Sequence, residues 1–420
     1  LPTASRKQTR GVEAVSFLSG LCAFDAFGAS TQVVEEVGLT YYVNEYWTAA
    51  QRSAHALHEV SYRACFKPQL PAFFIDRLTK AGDVVCDPFM GRGTTPLQAV
   101  LMGRRAAGSD ANPLSVMLTR PRLAPPTLAA VTTRLAAAPL STGDIEREDL
   151  LAFYHPETLR QICALRRWLM DEERARRTDE TRRDADAVNG NAAADDWIRM
   201  VALNRLTGHS PGFFSVYTLP PNQAVSVKAQ LKINARRAQT PPPRDIAALI
   251  LKKTRALLAD GAPPAGPAAT LAVTEASRLH HLREGSVDLV VTSPPFLDIV
   301  DYRADNWLRN WFAGIETEQV TAVSQLRNVD AWTQMTRDVF AELARVVRPG
   351  GHVAYEVGEV RGGGVLLERH VWDAMTGLPF ERLGVMVNRQ RFTKTSNCWG
   401  VANNDKGVNS NRIVLARRNF

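Results

Sequence analysis

The chain has 420 residues, 45% apolar and 22% charged, enough for more than one hydrophobic core and too apolar for a disordered polymer. Lys and Arg number 51 against 43 Asp and Glu, and the net charge of +8 with a pI of 9.4 suits a polyanionic partner. Five cysteines without a C-x-x-C pair argue against a disulfide framework or a zinc site, and no apolar run reaches membrane-spanning length, so a reducing, cytoplasmic setting is expected.

The first 42 residues hold a Gly/Ala/Ser-rich stretch and the lone Cys22, and no element is assigned to residues 1–42. Over residues 43–126, short apolar runs closed by Gly, Asp and Pro predict alternating helices and strands. Phe73 to Leu78 reads as a helix end, Asp83 to Cys86 as a buried strand, Thr94 to Met102 as a helix and Arg105 to Ser109 as a second strand, together a βαβ unit. Over residues 127–267 the strand signal fades. Leu159, Ile162, Leu165 and Leu169 recur at spacings of three and four, which predicts a helix over Pro156 to Met170. The charge-dense Asp171 to Asp186 and the Ala/Asn/Gly-rich Ala187 to Ala194 read as a solvated helix end and loop. Arg199 to Arg255 then carries ten Lys or Arg against one acid, Asp245, so the basic excess is local. Proline clusters at Pro241 to Pro243 and Pro263 to Pro267 read as a return linker. Over residues 268–420 the first pattern resumes. Leu271 to Val273, Val287 to Val291 and His352 to Val357 read as buried strands, Trp332 to Val347 as a helix ended by Pro349-Gly350-Gly351, and Arg412 to Ala416 as a late strand. The whole reads as a Rossmann-like α/β sheet interrupted by a mainly helical insert.

Two motifs carry chemistry. Asp87-Pro88-Phe89-Met90-Gly91-Arg92-Gly93-Thr94-Thr95 follows a strand and opens a helix, and its glycines permit a tight turn and close approach of a ligand. No Gly-Lys-Ser/Thr follows, which excludes a P-loop, and Pro96 stands where a dinucleotide fingerprint needs its third glycine. Asp110, at the end of the next strand, is placed to accept hydrogen bonds from a ribose diol. The same residues would also serve an ordinary strand–turn–helix corner.

The second motif, Thr292-Ser293-Pro294-Pro295-Phe296, follows another buried strand. Two successive prolines fix φ and remove two amide donors, which leaves the Ser293 and Pro294 carbonyls as outward acceptors. Such acceptors, with the Ser293 hydroxyl, suit an exocyclic amine whose lone pair must be drawn out of conjugation before it attacks an electrophile. A cytosine-C5 reaction would need a thiolate in a Pro-Cys context, and none of Cys22, Cys65, Cys86, Cys163 or Cys398 follows a proline.

Residues 87–95 resemble the Asp-Pro-Phe-x-Gly-x-Gly-Thr-Thr loop with which amino-group DNA methyltransferases bind S-adenosylmethionine. Phe66-Lys67-Pro68-Gln69-Leu70-Pro71 resembles the segment that precedes this loop and closes over the methionine end of the cofactor. Ser293-Pro294-Pro295-Phe296 is similar to the Ser-Pro-Pro-Tyr/Phe motif of cytosine-N4 enzymes more than to the Asp/Asn-Pro-Pro-Tyr motif usual for adenine-N6 enzymes, although the two cross over. The order of cofactor loop, insert and catalytic motif also resembles one group of that family.

The resemblance implies a class I S-adenosylmethionine-dependent methyltransferase sheet, with a cofactor pocket built from Phe66, Lys67, Pro68, Asp87, Pro88, Phe89, Gly91, Gly93, Thr94, Thr95, Asp110, Asn112 and Glu275. Ser293, Pro294, Pro295 and Phe296 would hold a base flipped out of duplex DNA, with cytosine N4 as the target and adenine N6 as the alternative. Arg205, Lys228, Lys232, Arg236 and Arg237 in the basic segment, and Arg391 and Lys394 in the polar, aromatic tail, are the expected DNA contacts. The setting implied is the cytoplasm of a bacterium, archaeon or phage-infected cell, with a cognate restriction endonuclease as an optional partner. No metal is expected, because His55, His58, His209, His280 and His281 show no ligand spacing. The competing class is a catalytically idle DNA-binding module of the same fold.

Overall fold

The computed structural model describes residues 16–48, 54–62, 65–219, 224–295, 302–316, 328–360, 364–389 and 410–420. A short helix over residues 16–22 precedes strands β1 (Gln32–Glu36) and β2 (Leu39–Asn44). Then come α1 (Gln69–Leu78), β3 (Val84–Asp87), α2 (Thr94–Leu101) and β4 (Arg105–Asp110). Helices α3 (Pro113–Leu123), α4 (Leu128–Ala136), α5 (Pro156–Thr178), α6 (Glu180–Asn189), α7 (Asn191–Leu203), α8 (Val227–Arg237) and α9 (Ile246–Leu257) separate β4 from β5 (Thr270–Val273). The chain continues through β6 (Val287–Thr292), α10 (Tyr302–Ala313), α11 (Val329–Val346) and β7 (Val347–Val357). A small hairpin, β8 (Glu359–Val360) and β9 (Val365–Leu366), leads to α12 (Leu367–Ala374), β10 (Phe380–Arg389) and β11 (Ser410–Arg418).

Nine strands form one mixed sheet in the order β1-β2-β10-β11-β7-β6-β3-β4-β5. Strands β5, β4, β3, β6 and β7 run parallel, and β11 lies antiparallel between β7 and β10. This is the α/β sheet, with a mainly helical stretch between β4 and β5, that the sequence leads one to expect. The period-two alternation of strand side chains divides its core. Val85, Ala106, Leu289 and Val291 face α1, α2 and the N-terminal helix, while Cys86, Ala107 and Val290 face α11 and α12. A third core, rich in Leu, Ile and aromatic residues, is shared by α3, α4, α5, α7, α9 and α10, with Val227 of α8 packed against it.

Four expectations are corrected. Leu271 to Val273 is not a buried strand, because β5 lies at the sheet edge and its residues are exposed or half-buried. The first 42 residues are not featureless, since β1 and β2 extend the sheet and β2 pairs in parallel with β10. Strand β10 escapes a pattern reading because its register slips between Arg382 and Gly384, where the backbone takes φ 137°, and because both of its faces are buried beyond that point. The run Asp171 to Asp186 is helix rather than loop: α5 continues to Thr178 and α6 follows at once. Many of its charges are paired, with Arg176 on Asp195 (2.7 Å) and Asp186 (3.3 Å), Arg182 on Glu172 (2.7 Å), and Arg134 bridging Glu172 and Asp195. Lastly, Pro349-Gly350-Gly351 lies inside β7 and does not end α11, which stops at Val346.

Candidate active site

Strand order reverses between β3 and β6, since the chain leaves β3 towards β4 on one side while β6 and β7 lie on the other. At such a switch point the loops beyond the carboxyl ends diverge and leave a crevice. The loop after β3 is the glycine loop, and the segment after β6 is the Thr-Ser-Pro-Pro corner. The two are joined directly: the Thr292 hydroxyl donates to Asp87 Oδ1 at 2.6 Å, and the Thr95 hydroxyl donates to the Val291 carbonyl at 3.0 Å.

The glycine loop is over-determined. Met90 N donates to the Ser109 carbonyl, Gly91 N to Asp110 Oδ2 (2.9 Å), and Phe89 N to Asp87 Oδ1 (3.0 Å). Gly91 and Gly93 both take positive φ, 48° and 75°, and a Cβ on Gly93 would collide with the Thr119 side chain. Asp87 is buried against the sheet, and desolvation pushes its carboxyl up to about 7 against the lowering pull of Thr292, Phe89 and Thr95. Asp110 also titrates above its ordinary value through burial, although it accepts from the Gly91 and Asn112 amides. Two amides do not exhaust two carboxylate oxygens, so acceptor capacity for a diol remains. Asn112 caps α3 through Leu114 N and contacts the Tyr62 hydroxyl at 3.4 Å. Pro88, Thr94 and Thr95 are buried and Phe89 is half-buried.

Phe66, Lys67 and Pro68 form the entry to α1, with Pro68 as its N-cap. Phe66 packs on the sheet core and Lys67 is exposed. Glu275 follows β5 at the next strand end. It is exposed, 3.9 Å from Arg278, while the neighbouring Thr274 N bonds the Asp110 carbonyl.

At the corner, Ser293 is half-buried and Pro294 buried, and the Pro295 carbonyl accepts from Trp332 Nε1 at 2.9 Å. The sequence reading overlooked Glu356, near the end of β7. The Ser293 hydroxyl hydrogen-bonds this buried carboxyl, Asn411 Nδ2 donates to it at 3.0 Å, and desolvation raises it above the ordinary carboxylate range. A lone acid in the buried run Val353-Ala354-Tyr355-Glu356-Val357 was the available signal. Phe296, Arg391 and Lys394 lie outside the described residues, so their expected roles have no geometry here.

The basic insert sorts into two groups. Arg199 is buried against Glu173 (2.8 Å), Lys253 pairs with Glu59 (3.1 Å), and Arg205 lies over the Phe213 ring at 4.1 Å with its Nε on the Asn204 carbonyl. Burial lowers the Arg205 guanidinium to about 10. Lys228, Lys232, Arg236 and Arg237 are instead exposed on α8, the first three at four-residue intervals and hence on one stripe. The opposite face of α8 is anchored by Gln230 on the Tyr217 carbonyl and Asn234 on the Ala152 carbonyl.

Residues 30–118, which include the glycine loop, match a family profile described as DNA methylase. The chain is 36% identical over 72 residues to the type II methyltransferase M.MjaII of Methanocaldococcus jannaschii, covering 17% of this chain and 13% of that protein. It is 41% identical over 59 residues to the type II methyltransferase M2.DpnII of Streptococcus pneumoniae, covering 13% of this chain and 22% of that protein. The aligned stretches thus span less than a quarter of these curated relatives. Among solved structures, a protein of Thermus thermophilus described as a DNA modification methylase, solved with S-adenosyl-L-methionine, is 20% identical over 33% of this chain and 50% of that chain, with a TM-score of 0.21. An S-adenosylmethionine-dependent methyltransferase of Methanosarcina mazei is 10% identical over 83% of this chain and 97% of that chain, with a TM-score of 0.31. The sequence similarity is to amino-group DNA methyltransferases.

Proposed function

We propose that this chain transfers a methyl group from S-adenosylmethionine to the exocyclic N4 amine of cytosine in duplex DNA. The observation that carries this reading is the direct Asp87–Thr292 bond, which sets a glycine loop and a Ser-Pro-Pro corner side by side at the switch point of the sheet. The loop suits the donor chemically: positive-φ glycines leave room beside Tyr62, and the Asp110 carboxyl offers an acceptor for a ribose diol. Phe66, Lys67, Pro68, Asp87, Pro88, Phe89, Gly91, Gly93, Thr94, Thr95, Asp110, Asn112 and Glu275 are the residues proposed to surround it. Bound there, the sulfonium supplies an electrophilic methyl.

The protein's part is to present the amine. In this reading Ser293 Oγ and the Pro294 carbonyl accept the two N–H bonds of the amine, which favours the pyramidal nitrogen, while Pro295 fixes the corner and Phe296 stacks on the extruded base. Nitrogen gains the methyl as the carbon–sulfur bond breaks, and the new ammonium then loses a proton. Glu356, bonded to Ser293 and raised by burial, is suited to take that proton through the hydroxyl. The exposed stripe of Lys228, Lys232 and Arg236, with Arg237 beside it, would follow a phosphate backbone, and Arg205 supports the adjoining turn. The insert over residues 127–267 is the proposed target-recognition region.

Transfer of labelled methyl to mixed-sequence duplex DNA tests this. Incorporation that Ser293→Ala largely abolishes is expected. Binding to DNA without incorporation would favour the idle module, and incorporation into structured RNA alone would move the substrate class.

A further inference from the structure

We propose that Arg92, between the two loop glycines, is a positioning residue that holds the strap of residues 55–62 across the loop and so sets one wall of the donor cleft. This rests on the methyl-donor reading of the loop. Arg92 Nη1 donates to the Val60 carbonyl at 2.9 Å, Nη2 to the Phe66 carbonyl at 3.4 Å, and Nε to Thr94 Oγ1 at 3.2 Å. Beneath it, the fully buried Arg122 donates to the Leu57 carbonyl at 3.0 Å and to the carbonyl of Arg92 itself. From α10, which follows the catalytic corner, Arg309 Nη2 donates to the Ser61 carbonyl at 3.1 Å. Three guanidinium groups therefore clasp one short strap through its backbone.

What the strap delivers is Tyr62. Its ring lies against Gly91, where a Cβ would be 3.7 Å away, and its hydroxyl meets Asn112, so it walls the loop on the side of Asp110. The far edge of the strap belongs to the insert. Ser61 N donates to Asn204 Oδ1 (2.9 Å), Ala56 N to Asp260 Oδ2 (2.7 Å), and Glu59 pairs with Lys253 (3.1 Å). One element thus touches the donor loop, the helix after the corner and the recognition insert. The placement of two arginines at one loop peptide argues against a mere tether. Buried guanidinium groups are costly to desolvate, burial lowers Arg122 to about 9, and apolar packing would hold a strap at lower cost. Backbone carbonyls as acceptors fix the path of the strap whatever its side chains.

The test measures dissociation constants of the full-length protein for S-adenosylmethionine and, separately, for duplex DNA. Arg92→Met keeps the aliphatic stem and removes the donors, Arg92→Lys restores one donor group, and Asn204→Ala loosens the strap from the insert side without touching the loop. Loss of the two carbonyl bonds is expected to weaken donor binding about tenfold in Arg92→Met, with Arg92→Lys intermediate and Asn204→Ala weakened about threefold. DNA affinity measured without donor should hold within about twofold across the set, since the proposed phosphate contacts lie elsewhere, on α8. A correctly folded Arg92→Met that binds donor like the wild type overturns the proposal. Should Arg92→Met fail to fold, unchanged donor binding in Asn204→Ala overturns it instead. Wild-type protein that binds no donor would sink the methyl-donor reading as well, whereas normal wild-type binding with unaltered variants sinks only the role of the strap.

Discussion

Thr292→Val removes one hydroxyl at the junction of the two motifs and almost nothing else. Valine matches threonine in shape, so no cavity opens, yet Asp87 Oδ1 loses the partner that donates at 2.6 Å. Asp87 is 1% exposed, so water does not replace the lost bond. Leaving a buried acceptor short of one partner costs about 1–3 kcal/mol, towards the upper end when the acceptor is ionised. If the junction is intact in the transition state, the same energy corresponds to a rate loss of about 5- to 150-fold. Urea unfolding and methyl transfer should both be measured at pH 8, where Asp87 is mainly ionised, and again at pH 5.5, where it is mainly neutral. The expected result is a larger stability loss at pH 8 than at pH 5.5, slower transfer, and recovery of both in Thr292→Ser. A valine variant that matches the wild type in stability and rate at both pH values would refute the reasoning.

Burial holds Asp87 at about 7 against an ordinary 3.8, so the native state keeps a proton that the unfolded chain gives up. Stability should therefore fall as pH rises through that window, by up to about 4 kcal/mol from this group, and Asp87→Asn should flatten the slope. An equal slope in both proteins would contradict the assignment. Gly93→Ala drives a Cβ into the Thr119 side chain at φ 75° and should lower unfolding stability by about 2–4 kcal/mol, a claim that an unchanged urea midpoint would defeat. The double variant Lys232→Gln/Arg236→Gln should weaken DNA binding and reduce the slope of log affinity against log salt by about 2, and a wild-type slope would remove α8 from the DNA face.

Much of the candidate site was legible because its signals are local. The glycine loop and the Ser-Pro-Pro corner are contiguous, each follows a short apolar run, and turn residues mark both ends. The parallel strands β3, β4, β5 and β6 were legible for the same reason. What stayed hidden is joined across long stretches of chain. Arg92 reaches back to Val60, Arg122 to Leu57 and Arg309 to Ser61, and bonds from a side chain to a distant carbonyl impose no residue type on the acceptor. Glu356 meets Ser293 only once β6 and β7 are paired in register. The charged run after Met170 misled because composition cannot tell a solvated loop from helices whose ions find partners on the next turn or on a neighbouring helix.

Mass analysis of nucleosides from duplex DNA treated with the protein and S-adenosylmethionine tests the central claim most directly. The account predicts N4-methylcytosine, lost in Ser293→Ala. N6-methyladenine would reassign the base held at the corner, and methyl found on no exocyclic amine would contradict the proposed chemistry itself.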